Sequence, residues 1–70
     1  MPTSAERRLI GRLSPALHEA AEHGRPVHVE HLHTLRPQPE VIRFAAQLCL
    51  REQAKLAVLP AERGLVFVPV

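Results

Sequence analysis

Three polar side chains recur at every fourth position in the second half of the chain: Arg43, Gln47 and Arg51. In an α-helix this spacing places all three on one side, and we call them the polar stripe. Arginine can donate two hydrogen bonds to a guanine edge, and glutamine can pair with adenine. The spacing therefore predicts a helix face with groove-reading chemistry. The alternative is a solvated helix face, which has the same polarity and binds nothing.

Basic residues outside the stripe can neutralise phosphates beside such a groove. They are Arg36 before the predicted helix, Lys55 after it and Arg63 at the tip of a predicted hairpin. The charges of residues 1–34 balance, so the formal net charge of +2 lies in the remainder of the chain. Arginine suits bidentate contacts, although the codon bias of a GC-rich genome also favours it. Three carboxylates interleave with the basic residues and lower the local positive potential: Glu40, Glu52 and Glu62.

The stripe requires a helix, and the sequence predicts one from Pro39 to about Gln53. The prolines of Arg36-Pro-Gln-Pro39 break the preceding element, and proline is favoured in the first turn of a helix. On the side opposite the stripe, apolar residues recur at helical spacing: Val41, Ile42, Ala45, Leu48 and Cys49. We expect this apolar side to pack against the core.

The first part of the chain predicts one or two helices. Thr3 and Glu6 match a capping box, so a helix is expected to begin near Ser4. Apolar spacing continues to Gly24, which can take the left-handed conformation that ends many helices. Ser14-Pro15 can start a new helix, so the segment is either two short helices or one kinked helix.

The segment that follows predicts a short strand and then a second helix. Val27 and Val29 alternate with polar residues, as in a short edge strand. Val29, Leu32 and Leu35 have the spacing of buried positions on a helix. That helix would precede the one that carries the polar stripe.

The C-terminal part of the chain predicts a β-hairpin wing. Leu56–Leu59 and Leu65–Val68 are apolar, and Pro60–Gly64 between them has the composition of a turn, with Gly64 able to take a positive φ. The strand from Leu65 to Val70 is expected to lie at an exposed edge of the sheet. Such an edge can recruit a protein partner.

Length and composition fit a single small domain over residues 1–70. The hydrophobic share is 46%, which is ordinary for a globular protein. The single cysteine, Cys49, excludes an intrachain disulfide. No run approaches the roughly 20 apolar residues of a membrane span, so we expect a soluble, cytoplasmic protein with no membrane contact.

The histidines and the remaining composition do not indicate a metal site or catalysis. His28, His31 and His33 cannot share one face of either a helix or a strand, so ordinary surface histidines are favoured over a metal site. The chain has no aspartate, tyrosine or tryptophan and no Gly-rich phosphate loop. We therefore expect no enzymatic activity, no metal and no cofactor.

Three segments carry a family resemblance: Arg25-Pro-Val-His-Val-Glu-His-Leu32, Ala46-Gln-Leu-Cys-Leu-Arg-Glu-Gln-Ala-Lys-Leu-Ala-Val58 and Gly64-Leu-Val-Phe-Val-Pro69. With them the chain resembles a winged helix-turn-helix domain, most closely the winged-helix modules of the bacterial selenocysteine-specific translation elongation factor. The resemblance implies three helices, a small sheet and nucleic-acid binding as the commonest use. Gln53-Ala54 departs from the pattern, because many such domains place a glycine before the first wing strand.

Together these observations predict an α+β fold, a small winged helix with three or four helices and a C-terminal β-hairpin wing. We expect the domain to bind double-stranded DNA in transcription regulation, as a homodimer, with an RNA hairpin as a further candidate ligand. The alternative is a protein-interaction or assembly module that uses the same scaffold and binds no nucleic acid.

Overall fold

The computed structural model describes residues 2–35 and 37–70 and forms a small α+β domain. Its elements, in chain order, are helix α1 (Ser4–His23), strand β1 (Val27–Glu30), the 3₁₀ turn η1 (Leu32–Thr34), helix α2 (Gln38–Arg51), and strands β2 (Leu56–Ala61) and β3 (Gly64–Pro69). The described residues therefore contain two α-helices, and the prediction of three or four is wrong.

Helix α1 is continuous, so the alternative of two short helices is wrong. The Thr3 hydroxyl accepts a hydrogen bond from the Glu6 amide at 3.1 Å, which confirms the capping box, and Gly24 ends the helix with a φ of 64°. Pro15 lies inside the helix on its exposed side. Buried side chains continue on both sides of Pro15, and their packing outweighs the one backbone hydrogen bond that proline removes: Leu9, Leu13, Ala16, Leu17 and Ala20.

The second predicted helix is replaced by strand β1 and the single 3₁₀ turn η1. Val29 belongs to the strand, whereas Leu32 is buried in the turn. His31 separates them with a left-handed φ of 65°, which ends the strand. Between His31 and Pro37 too few residues remain for a stable α-helix.

The sheet is antiparallel with strand order β1-β3-β2, so β3 is the central strand. The expectation that Leu65–Val70 forms an exposed edge is therefore wrong, because β1 pairs with the side of β3 that β2 leaves open. Phe67 lies between Val27 of β1 and Val58 of β2. The hairpin turn is also shorter than predicted, since Pro60 lies within β2, an edge strand where its missing N–H is tolerated.

Gly64 is required for close packing, and the predicted positive φ is wrong. Among the described glycines, Gly24 alone has a positive φ. A Cβ at Gly64 would overlap the carbonyl oxygen of Val29 and lie 3.1 Å from the Cα of Glu30. Only glycine therefore allows β1 to approach this end of β3.

Both helices pack on the same side of the sheet, which gives the domain two layers. Helix α1 contacts β1 and β3, and helix α2 contacts β2 and η1. The largest fully buried side chains of the core between the layers are Phe67, Leu9, Leu13, Leu17, Leu32, Leu65 and Val41. The strand residues that enter this core alternate along each strand, as the pleat of a sheet requires.

The opposite side of the sheet has no helix of the described chain over it, and we call it the outer face. Alternation along β2 and β3 places five apolar side chains there: Ala57, Leu59, Ala61, Val66 and Val68. Leu59 is 49% exposed. His28 and Glu30 of β1 complete the face at its edge.

Helix α2 ends in a Schellman motif with an unusual residue at its left-handed position. The amide of Ala54 donates to the carbonyl of Cys49 at 2.9 Å, and the amide of Gln53 donates to the carbonyl of Leu50 at 3.1 Å. Gln53 has a φ of 56°, a conformation that glycine adopts without the steric cost of a Cβ. The position therefore has the backbone of a glycine site.

Replacing this residue with glycine is expected to stabilise the domain. In Gln53→Gly, relief of the left-handed strain exceeds the entropy that glycine loses on folding, which gives a gain of about 1 kcal/mol in the free energy of unfolding. Urea denaturation followed by circular dichroism measures it. As the control, Glu52→Gly at a φ of −85° is expected to destabilise by about 0.5–1 kcal/mol. Equal effects at the two positions would contradict the strain argument.

Candidate nucleic-acid interface

The polar stripe lies on the exposed side of α2. Arg43, Gln47 and Arg51 are all exposed, whereas Val41 and Ala45 on the other side are buried. The helix begins one residue before the predicted Pro39 and ends at Arg51, two residues before the predicted Gln53. The predicted division of this helix into a core side and a solvent side is therefore confirmed.

A shallow depression of about 360 Å³ lies along this exposed side. Its lining combines an acid, a base, an amide and an aromatic ring: Glu40, Arg43, Gln47 and Phe44. Phe44 is half-buried, so part of its ring faces the depression. Arginine and glutamine can donate to base edges, a carboxylate can accept from the cytosine amino group, and an aromatic ring can contact the thymine methyl.

The hairpin tip is attached to the first residue of α2. The side-chain amide nitrogen of Gln38 donates to the carbonyl of Ala61 at 2.5 Å and to the carbonyl of Gly64 at 2.7 Å. The amide of Leu32 donates to the carbonyl of Arg63 at 3.2 Å. These hydrogen bonds hold the exposed turn residue Arg63 near the N-terminal end of α2.

The other two predicted phosphate contacts do not join this group. Lys55 lies just before β2, at the end of that strand opposite the hairpin tip, and is exposed. A six-residue strand is about 20 Å long, so Lys55 and Arg63 flank opposite ends of α2. Arg36 lies outside the described residues. The structure thus places Arg63 near the N-terminal end of α2 and Lys55 just beyond its C-terminal end.

Several charges around the stripe already have favourable positions within the helix. Glu40 lies in the first turn of α2 and Arg51 in the last, where each complements the helix dipole. Glu52 lies 3.8 Å from the ring of His18, and both side chains are exposed, so this pair contributes little to stability.

Cys49 and the histidines whose side chains the structure describes show no arrangement for chemistry. Burial raises the pKa of the Cys49 thiol, so the thiol stays protonated at neutral pH. The ring of His31 lies 3.9 Å from the carboxylate of Glu30. Across the residues that the structure describes, no group of three or more His, Cys, Asp or Glu side chains is arranged to hold a metal ion.

Sequence reasoning missed Gln38 and the place of Phe44 in the depression. Gln38 is separated by 23 residues from Ala61, and no local pattern reports an attachment over that distance. Phe44 is half-buried and packs against the core at the margin of the apolar side of α2. Phe44 follows Arg43 directly in the sequence, and this position was the available signal that an aromatic ring lies beside the polar stripe.

Comparison with family models, curated proteins and solved structures gives no match to this chain. Within the described residues, no helix is both long enough and apolar enough to cross a bilayer.

Proposed function

We propose that this chain is a winged-helix domain that binds double-stranded DNA through α2 in transcription regulation. The polar stripe would enter the major groove, with Arg43 and Arg51 on guanine or phosphate and Gln47 on adenine. Arg63 at the hairpin tip would contact the phosphate backbone beside the groove. The observation that carries the proposal is the exposed stripe on a helix whose N-terminal end holds the hairpin tip.

The order of the elements also supports this proposal. A helix, a strand, a short helical turn, a second helix and a hairpin follow one another, with η1 standing where the resemblance implies a full helix. In such an arrangement the helix after the turn is the recognition element and the hairpin lies against the backbone. Arg36 and Lys55 remain predicted backbone contacts, and an RNA hairpin remains a further candidate ligand.

Fluorescence anisotropy of a labelled random-sequence duplex tests the proposal at low and near-physiological salt. Binding should weaken steeply with salt, because each phosphate contact releases counterions. The Arg43→Ala/Arg51→Ala variant is expected to bind at least about tenfold more weakly, since each arginine contact contributes roughly 1–3 kcal/mol.

A matched control removes the same charge from a different surface. Arg7→Ala/Arg8→Ala takes two exposed arginines from α1 and leaves the polar stripe intact. This variant should retain the affinity of the unmodified chain to within about twofold, because it loses only the long-range attraction between two arginines and the DNA phosphates. Equal weakening in the two variants, or no binding at low salt, would contradict the proposal.

A protein-interaction module is the second candidate, and a specific observation favours it. The outer face is apolar and has no helix of the described chain over it. The edge of Leu65–Val70 no longer supports this candidate, because β3 is central. In this case the stripe would be a solvated face and the anisotropy experiment would show no binding.

A further inference from the structure

The outer face is more apolar than the solvent side of an antiparallel sheet usually is. Such sheets alternate apolar residues toward the core and polar residues toward water. Here the outward side chains of β2 and β3 are all apolar: Ala57, Leu59, Ala61, Val66 and Val68. An uncovered apolar surface of this kind marks an interaction site.

The two ends of the outer face carry opposite charges. The amide of Val70 donates to the carbonyl of Lys55 at 3.1 Å, which continues the pairing of β2 and β3 by one residue. Alternation therefore places Val70, which is 92% exposed, and Lys55 in an outward row at one end. Glu30 of β1 lies in the outward row at the other end, where it pairs with Gly64.

We propose that the outer face binds the outer face of a second copy of this chain, in a two-fold symmetric dimer. A two-fold axis that lies between the two faces, perpendicular to the line from Lys55 to Glu30, superimposes the two apolar centres and exchanges these two corners of the face. The Lys55 end of each copy then lies over the Glu30 end of the other. A two-fold dimer requires a self-complementary surface, and this distribution of charge provides one.

The acidic end also has room for a side chain of the second copy. A depression of about 420 Å³ lies there, lined by carboxylate-bearing residues Glu30 and Glu62 together with His28, Arg63 and strand backbone. Gly64 and Ala61 are the small residues next to Glu30 in this row. The lining carries two carboxylates and one guanidinium, a formal charge of −1, which favours Lys55 of the second copy over an acidic side chain.

The two edge strands are poorly suited to pair with another sheet edge, so we expect the two copies to pack face to face. Pro60 removes a backbone donor from the free edge of β2, and β1 at the other edge has four residues. Two strands of about 20 Å and one of about 13 Å give a footprint of about 250 Å² per copy, below the roughly 800 Å² of a standard interface. The dimer should therefore dissociate reversibly with dilution.

Sedimentation equilibrium over a range of protein concentrations tests the proposal. The unmodified chain should approach twice its monomer mass of 7.8 kDa as concentration rises. Leu59→Glu puts a charge at the centre of the outer face and should raise the dimer dissociation constant at least about tenfold. Leu50→Glu is the matched control, because Leu50 is 73% exposed on α2 and should leave dimerisation unchanged.

A charge exchange tests the orientation and does not depend on whether Leu59→Glu folds. Glu30→Lys and Lys55→Glu should each weaken the dimer, and the double variant should restore it. A chain that stays monomeric at every concentration, or a Leu59→Glu dimer as tight as the unmodified one, would overturn the proposal. Failure of the double variant to recover would overturn the two-fold arrangement. Since α2 lies in the other layer, Leu59→Glu leaves the polar stripe unchanged, so its effect on the dimer is independent of DNA binding. Lys55→Glu also removes a predicted phosphate contact, so the charge exchange is measured by sedimentation without DNA.

Discussion

Replacing Gly64 with alanine is expected to remove about 3 kcal/mol or more from the free energy of unfolding. The added Cβ of Gly64→Ala would overlap the Val29 carbonyl oxygen, which belongs to the backbone and cannot move without separating β1 from β3. A 70-residue domain has a total stability of about 4–10 kcal/mol. Urea denaturation followed by circular dichroism should therefore show a large fall in midpoint.

The same substitution at Gly11 is the control, with the opposite expected sign. Gly11 lies within α1, and a Cβ there meets nothing within 4 Å. Gly11→Ala should stabilise the domain by about 0.5–1 kcal/mol, because alanine loses less conformational entropy than glycine in a helix. A Gly64→Ala variant as stable as the unmodified chain would show that β1 does not approach β3 this closely.

The Phe67→Ala variant is expected to lose about 3–5 kcal/mol, because a cavity replaces the largest fully buried side chain. Phe67 lies on the central strand and pairs with Val27 on one side and Val58 on the other. Its loss therefore weakens the packing of both flanking strands. Thermal denaturation at fixed protein concentration should show a large decrease in midpoint or no cooperative transition.

Phe44→Ala is the matched control for this cavity. Phe44 is half-buried at the margin of the core, so its truncation removes less buried area and leaves a site open to water. We expect a loss of about 1 kcal/mol. Similar losses for the two phenylalanines would show that β3 does not form the centre of the core.

Local signals allowed most of the elements to be predicted from the sequence. The capping box at Thr3, the left-handed end at Gly24 and the two sides of α2 each depend on residues a few positions apart. The strand around Val29 follows from simple alternation. The family resemblance predicted a glycine near Gln53-Ala54. The backbone of Gln53 is left-handed, as it would be at a glycine, although the residue there is glutamine.

Most of the errors concern relations between distant residues; the second predicted helix is the exception, because the left-handed His31 and the nearby Pro37 prevent it locally. The position of β3 in the sheet depends on which edge β1 joins, and nothing near Leu65 reports this. The role of Gly64 follows from the backbone of Val29, which is far away in sequence. For the candidate site, helical periodicity predicted the exposure of the stripe. The hydrogen bonds from Gln38 to the hairpin tip and the distance between Lys55 and Arg63 depend on how the strands pair and pack, so they could not be predicted from the sequence.

The central position of β3 has a consequence for synthesis of the chain. Strands β1 and β2 pair with β3 and not with each other, so neither has a sheet partner until residues 64–69 have left the ribosome. Helix α1 can form early, because its capping box and hydrogen bonds are local. A nascent chain that has not yet released residues 64–69 therefore has no sheet on which the helices can pack.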